Sequence, residues 1–107
     1  MNLTESYLKI TKSPWVLSRK SGLFYRRRIF LDNVVEILSI NRDAITHDEI
    51  QICFKCSDNR EFLISEFDRN FKEVVEALKL TFPGIENWNK VSVGASLEHR
   101  MLTLWSK

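Results

Sequence analysis

Glycine and proline are scarce, with three and two in 107 residues. So few permissive residues exclude long flexible linkers and leave no glycine-rich loop of the kind that cradles phosphates. No apolar run approaches the ~20 residues that span a bilayer. The first ten residues are polar and lack the basic-then-apolar order of a secretory signal, so the chain is expected in the cytoplasm. Charge of one sign is not in large excess either. Sixteen basic against fourteen acidic residues leave +2, too little for a general polyanion binder. The length is that of one domain spanning residues 1–107, with one core.

The constellations that carry enzyme chemistry are also missing. The sequence contains no G-x-G-x-x-G, no H-x-x-x-H and no G-x-S-x-G. Its two histidines have no ligand spacing. His47 sits beside Asp48 and Glu49 in a turn, and His99 lies between Glu98 and Arg100. Each reads as an exposed side chain rather than a general base. Cys53 and Cys56 form a lone C-x-x-C, yet Ile50, Ile52 and Phe54 alternate with Gln51, Cys53 and Lys55, the period of a strand. Strand positions 53 and 56 point to opposite faces, so two reduced thiols are expected rather than a metal site or a disulfide. The chain is therefore expected to be a binding protein without enzymatic activity, metal or cofactor.

What is present is a β-rich pattern followed by one strong helical period. Residues 1–12 fit either a short helix or a strand, and Ser13-Pro14 marks a break. Strands are expected over 15–19, 23–31 and 34–40, with turns at Ser21-Gly22, Asp32-Asn33 and residues 41–43. Residues 44–46 read as a short strand before a turn at His47-Asp48. A hairpin follows, with strands over 49–56 and 61–65 around the turn residues 57–60. The period then changes. Phe67, Phe71, Val74, Val75, Leu78 and Phe82 fall on one face of a long helix, with Asp68 as its cap and Pro83-Gly84 as its stop. Residues 85–98 fit a short helix or a loop, with Ile85, Trp88, Val91 and Ala95 spaced three to four apart. Residues 101–105 read as a last strand, with Met101, Thr103 and Trp105 on one side and Leu102 and Leu104 on the other. The fold class is α+β: an antiparallel meander or half-barrel of five to seven strands packed on one long helix in the C-terminal half, with a final short strand.

The charges are unevenly spread. Residues 19–28 hold Arg19, Lys20, Arg26, Arg27 and Arg28 without an acid. Residues 32–49 hold Asp32, Glu36, Asp43, Asp48 and Glu49 against Arg42 alone. Pairing between neighbouring strands would neutralise the two blocks. Otherwise each is a candidate docking surface: Arg26, Arg27 and Arg28 for an acidic partner, and Asp43, Asp48 and Glu49 as phosphate mimics before a basic cleft. Of the tryptophans, Trp15 and Trp105 read as core, while Trp88, in the polar stretch 86–90, is a further candidate contact.

The run from Glu66 to Leu78, then Phe82-Pro83-Gly84, Trp88 and Leu104-Trp105, resembles small bacterial immunity proteins of polymorphic toxin systems, including contact-dependent growth inhibition. The resemblance covers residues 61–107, and residues 93–97 depart from its pattern. It implies a protein that binds one cognate toxin domain and neutralises it by steric and electrostatic occlusion, with no membrane partner. The alternative is a small nucleic-acid-binding module, because Arg26–Arg28 interleave with Phe24, Tyr25 and Phe30 on one strand.

Overall fold

Period-two alternation builds seven strands among the described residues. The computed structural model describes residues 6–12, 15–21, 25–43, 48–91 and 101–107, apart from the side chains of residues 6, 7, 20, 21, 25, 26, 43 and 48. The strands are β1 (Ser6–Lys12), β2 (Trp15–Ser21), β3 (Tyr25–Phe30), β4 (Val34–Asp43), β5 (Asp48–Cys56), β6 (Glu61–Ser65) and β7 (Met101–Ser106). They form two antiparallel sheets, one in the order β1-β2-β3 and the other β6-β5-β4-β7. A 3-10 turn over Leu31–Asn33 carries the chain from the first sheet to the second. One helix, α1 (Phe71–Leu78), and a 3-10 turn over Ile85–Lys90 lie between β6 and β7. Among the described residues the architecture is mostly antiparallel β with a single α-helix.

The core lies between the sheets and under the helix. Leu8, Leu17 and Ile29 meet Ile37, Ile52, Phe54, Phe62 and Ile64, and the helix adds Phe71, Val74, Val75 and Leu78. The intervening helix residues Lys72, Glu73, Glu76 and Ala77 are exposed, so one apolar face faces inward as the spacing requires. Burying each large apolar side chain stabilises the fold by roughly 1.5–3 kcal/mol. Phe82 and Ile85 extend this core beyond the helix. Phe82 meets Trp105 edge-on at 4.8 Å.

Four expectations are corrected. First, the helix has two turns rather than the four that the spacing from Phe67 to Phe82 implies, and Phe67 is 59% exposed. The residues before it are drawn away by tertiary bonds. Asp68 does not cap the helix; its carboxylate accepts Arg19 of β2 and the Ser65 N–H. Asn70, at the N-cap position, turns its side-chain amide to β1, where its Oδ1 accepts the Leu8 N–H and its Nδ2 donates to the Leu8 carbonyl. One side chain thus completes both hydrogen bonds of a residue on the β1 edge, which would otherwise stay open.

Second, residues 41–43 are not a turn. β4 runs on through them, pairing Asn41 with Ile50, Arg42 with Glu49 and Asp43 with Asp48. The ladder continues because Asn41 is buried and the β4–β5 pairing outweighs local turn propensity. The expected short strand at 44–46 and His47 lie outside the described residues, and Asp48 begins β5 instead of closing a turn.

Third, Trp105 does not share a face with Met101 and Thr103. Ile37 pairs with Trp105 and Leu38 with Thr103, so Leu104 is the extra residue of a bulge. Such an insertion shifts the alternation by one, and Trp105 turns with Leu104 to the core cluster.

Fourth, the basic and acidic blocks do not pair across a sheet. β3 pairs with β2, which sets Lys20 opposite Arg26 and Arg19 opposite Arg27, while β4 belongs to the other sheet. The hairpin closes the basic block on itself. The undecided ends resolve simply: residues 6–12 are a strand, and residues 85–90 of the segment 85–98 are a 3-10 turn. The turns at Ser13-Pro14 and Gly22 lie outside the described residues, as do residues 93–97.

Candidate functional site

Stacking basic on basic forces the first sheet to find its neutralising partners elsewhere. Like charges directly opposite on a ladder destabilise it. For Arg19 the partner is Asp68, 49 residues away, held through Nη1–Oδ1 at 3.2 Å and Nη2–Oδ2 at 2.8 Å. The same guanidinium donates to the Leu63 carbonyl and lies 5.9 Å from the Phe62 ring centre. The Asp68 carboxylate is 4% exposed. This half-buried fork joins β2 to β6 and to the loop before α1.

Arg27, opposite Arg19, has no such partner among the described residues. It lines a groove of about 470 Å³ with Arg28, Ile29, Arg60, Glu61 and Phe62. Ile29 and Phe62 are core residues and form the apolar base. Arg27, Arg28 and Arg60 are exposed around it. Arg60 comes from the β5–β6 hairpin, whose turn places Asn59 at φ 69°, a left-handed conformation that asparagine adopts more readily than most residues. Asp58 fixes Arg60 by accepting its side-chain Nε at 2.7 Å and its backbone N–H at 3.1 Å. Those bonds hold the Asp58 carboxyl below its ordinary range. Arg28 lies 5.9 Å from the ring centre of Phe30, which is partly exposed. Glu61, on the groove wall, is 3.9 Å from Lys55.

The other candidates are placed differently. Arg26 lies on β3 between Tyr25 and Arg27, and its side chain is outside the described features. Asp43 and Asp48 face each other at the end of the β4–β5 ladder, and their side chains likewise are not described. Glu49 is tied into a polar row, accepting the Ser65 hydroxyl and Gln51 Nε2, while Arg42 donates to Gln51 Oε1. Trp88 is half-buried. Its ring meets Phe71 edge-on at 4.8 Å and its carbonyl accepts the Ser39 hydroxyl at 2.6 Å, so most of its surface serves packing. The structure therefore brings Arg27 and Arg28 together with Arg60, which the sequence reading did not select. Its only sequence signal is membership of a hairpin turn.

Both cysteines are free and buried. Cys56 belongs to the core between the sheets. Cys53 lies opposite Leu38 and Leu63 on the other face of β5. Burial, then the nearby Glu61 charge, pushes the Cys53 thiol from 9.0 up to about 11. At pH 8 the native protein should therefore react with a disulfide reagent far more slowly than the urea-unfolded chain. Equal rates would contradict the burial. The unfolded thiol ionises near 9.0 and the native one at about 11. The unfolded state binds fewer protons in that window, so this group's contribution to stability is complete below pH 9 and declines as pH rises towards 11.

Among the described residues no three His, Cys, Asp or Glu side chains are grouped to hold a metal ion. No helix there is long and apolar enough to cross a membrane. Compared with protein-family models, curated proteins and solved structures, the chain matches none.

Proposed function

We propose that this chain is a non-enzymatic binding protein of the immunity type, which neutralises a cognate bacterial toxin domain by occupying its surface. The observation that carries the reading is the arginine groove. Arg27, Arg28 and Arg60 concentrate positive charge around an apolar base on a scaffold tied together by the Arg19–Asp68 fork. The resemblance of residues 61–107 to immunity proteins supports the same reading. Charge concentrated at a rigid rim accelerates association with an oppositely charged partner and excludes others. Partner binding accordingly centres on the basic groove, and the acidic positions Asp43, Asp48 and Glu49 are secondary.

The test begins with the gene's neighbourhood, where a reading frame directly upstream should encode a toxin domain. On co-expression with that domain growth should be rescued and the two chains should co-purify. Arg27→Glu combined with Arg28→Glu slows association and weakens affinity by about tenfold to a hundredfold, most at low salt. Absence of both rescue and co-purification would sink the proposal.

A second reading has one observation in its favour. The Arg28–Phe30 pair on an exposed strand is the kind of platform on which single-stranded nucleic acid stacks. Asp58 and Glu61 beside Arg60 oppose a phosphate backbone, which places this reading second.

A further inference from the structure

The direction of the backbone on β3 can be worked out from β1. Leu8 lies opposite Arg19, and both backbone groups of Leu8 are engaged by Asn70, on the side away from β2. Leu8 and Arg19 are therefore a non-hydrogen-bonded pair. In an antiparallel sheet the backbone groups of successive residues alternate in direction. The Arg19 N–H and C=O thus point to β3, where they meet Arg27. It follows that Arg26, Arg28 and Phe30 direct their N–H and C=O away from β2. No described strand pairs with that edge.

The two other edges nearby carry side-chain bonds: Asn70 takes both backbone groups of Leu8 on β1, and Arg19 takes the Leu63 carbonyl on β6. Among the described residues, the β3 edge combines backbone groups without a strand partner with a basic groove alongside. An open edge is a template for a further strand, with main-chain bonds supplying affinity and neighbouring side chains supplying selectivity. We infer that the β3 edge is a strand-addition site for an extended, acidic segment of a protein partner, whose carboxylates meet Arg27, Arg28 and Arg60. Nucleic acid offers no alternating N–H and C=O groups to the edge, and it would bring phosphates against Glu61. The inference rests on the partner-binding reading above and specifies how that partner is held.

The probe is a capped peptide of alternating glutamate and valine, added to the full-length protein and followed by amide NMR. It should protect the amides of Arg28 and Phe30 from exchange, and a lysine–valine peptide should not. Two further peptides carry N-methyl groups on alternate residues, one set on the glutamates and one on the valines. Only one set faces β3, so one peptide should bind about tenfold more weakly, through loss of main-chain hydrogen bonds, while the other binds as before. Arg27→Glu with Arg28→Glu should remove binding of the unmethylated peptide. No binding of the acidic peptide, or equal binding of both methylated forms, would overturn strand addition. Preferential binding of a single-stranded thymidine oligonucleotide with a steep salt dependence would overturn it in favour of nucleic acid. The methylated peptides use the unaltered protein, so they decide even if the double variant fails to fold. Toxin rescue that persists without peptide binding would remove this mode of contact and leave neutralisation standing.

Discussion

Asp68→Ala should cost about 3–5 kcal/mol of stability, the usual loss when one partner of a buried ion pair is removed. Its carboxylate takes three hydrogen bonds, two from Arg19 and one from the Ser65 N–H. Without it the Arg19 guanidinium is left beside Arg27 with only the Leu63 carbonyl among these partners. The two sheets then lose their tie at β2 and β6, and the loop before α1 loses its anchor. Urea unfolding monitored by tryptophan fluorescence reads the change directly. The melting temperature should fall by on the order of 15 °C. Asp68→Asn keeps one acceptor for Ser65 and should cost roughly half as much. Arg19→Met combined with Asp68→Leu should recover much of the loss, because replacing both charges removes the desolvation that the pair offsets. A change below about 1 kcal/mol for Asp68→Ala would place the fork among ordinary surface ion pairs.

Gly84→Ala should be the second large effect, at roughly 2–4 kcal/mol from backbone strain and overpacking together. Gly84 holds φ 111°, and a Cβ added there would stand 2.2 Å from the carbonyl oxygen of Leu104. That oxygen belongs to β7, so relief requires the last strand to move from the turn over Ile85–Lys90. The Phe82–Trp105 contact beside it would loosen, and near-ultraviolet circular dichroism should record the change along with the melting temperature. Asparagine tolerates left-handed backbone better than alanine, yet it carries the same Cβ. Gly84→Asn should therefore be no better, and full recovery by asparagine would assign the cost to dihedral strain alone.

Both predictions concern residues that the sequence marks for local reasons and the structure uses for distant ones. Asp68 reads as a helix cap because an acid at the start of an apolar helical period commonly is one. It is instead the buried partner of a half-buried arginine 49 positions earlier. Gly84 reads as the stop of the long helix, but α1 already ends at Leu78 and Gly84 instead opens the 3-10 turn over Ile85–Lys90, and its closeness to Leu104 has no local signature. The candidate site divides the same way. Arg27 and Arg28 are visible as a basic run on a strand. Arg60 joins them only because β5 and β6 fold back beside β3. Glu49 and Trp88 looked available in the sequence and are largely taken up by neighbours.

By itself, the sequence determined the scarcity of loops, the period-two strands at 49–56 and 61–65 with their turn, and the apolar face of the helix. These are consequences of spacing, since alternation and 3.6-residue periodicity decide which side chains leave water together. Tertiary structure decided where the helix begins, which strands neighbour one another, which way Trp105 turns, and that the basic block faces itself rather than the acidic one. Each of these is a choice among partners far apart in the chain. A strand pairs wherever its apolar face is best buried, and a charge settles where it is best solvated or bonded. Neither preference is written in the residues immediately beside it. The few glycines and prolines with which the sequence is marked limit how the chain can turn, while the packing of the β5–β6 hairpin beside β3 placed three arginines around one groove.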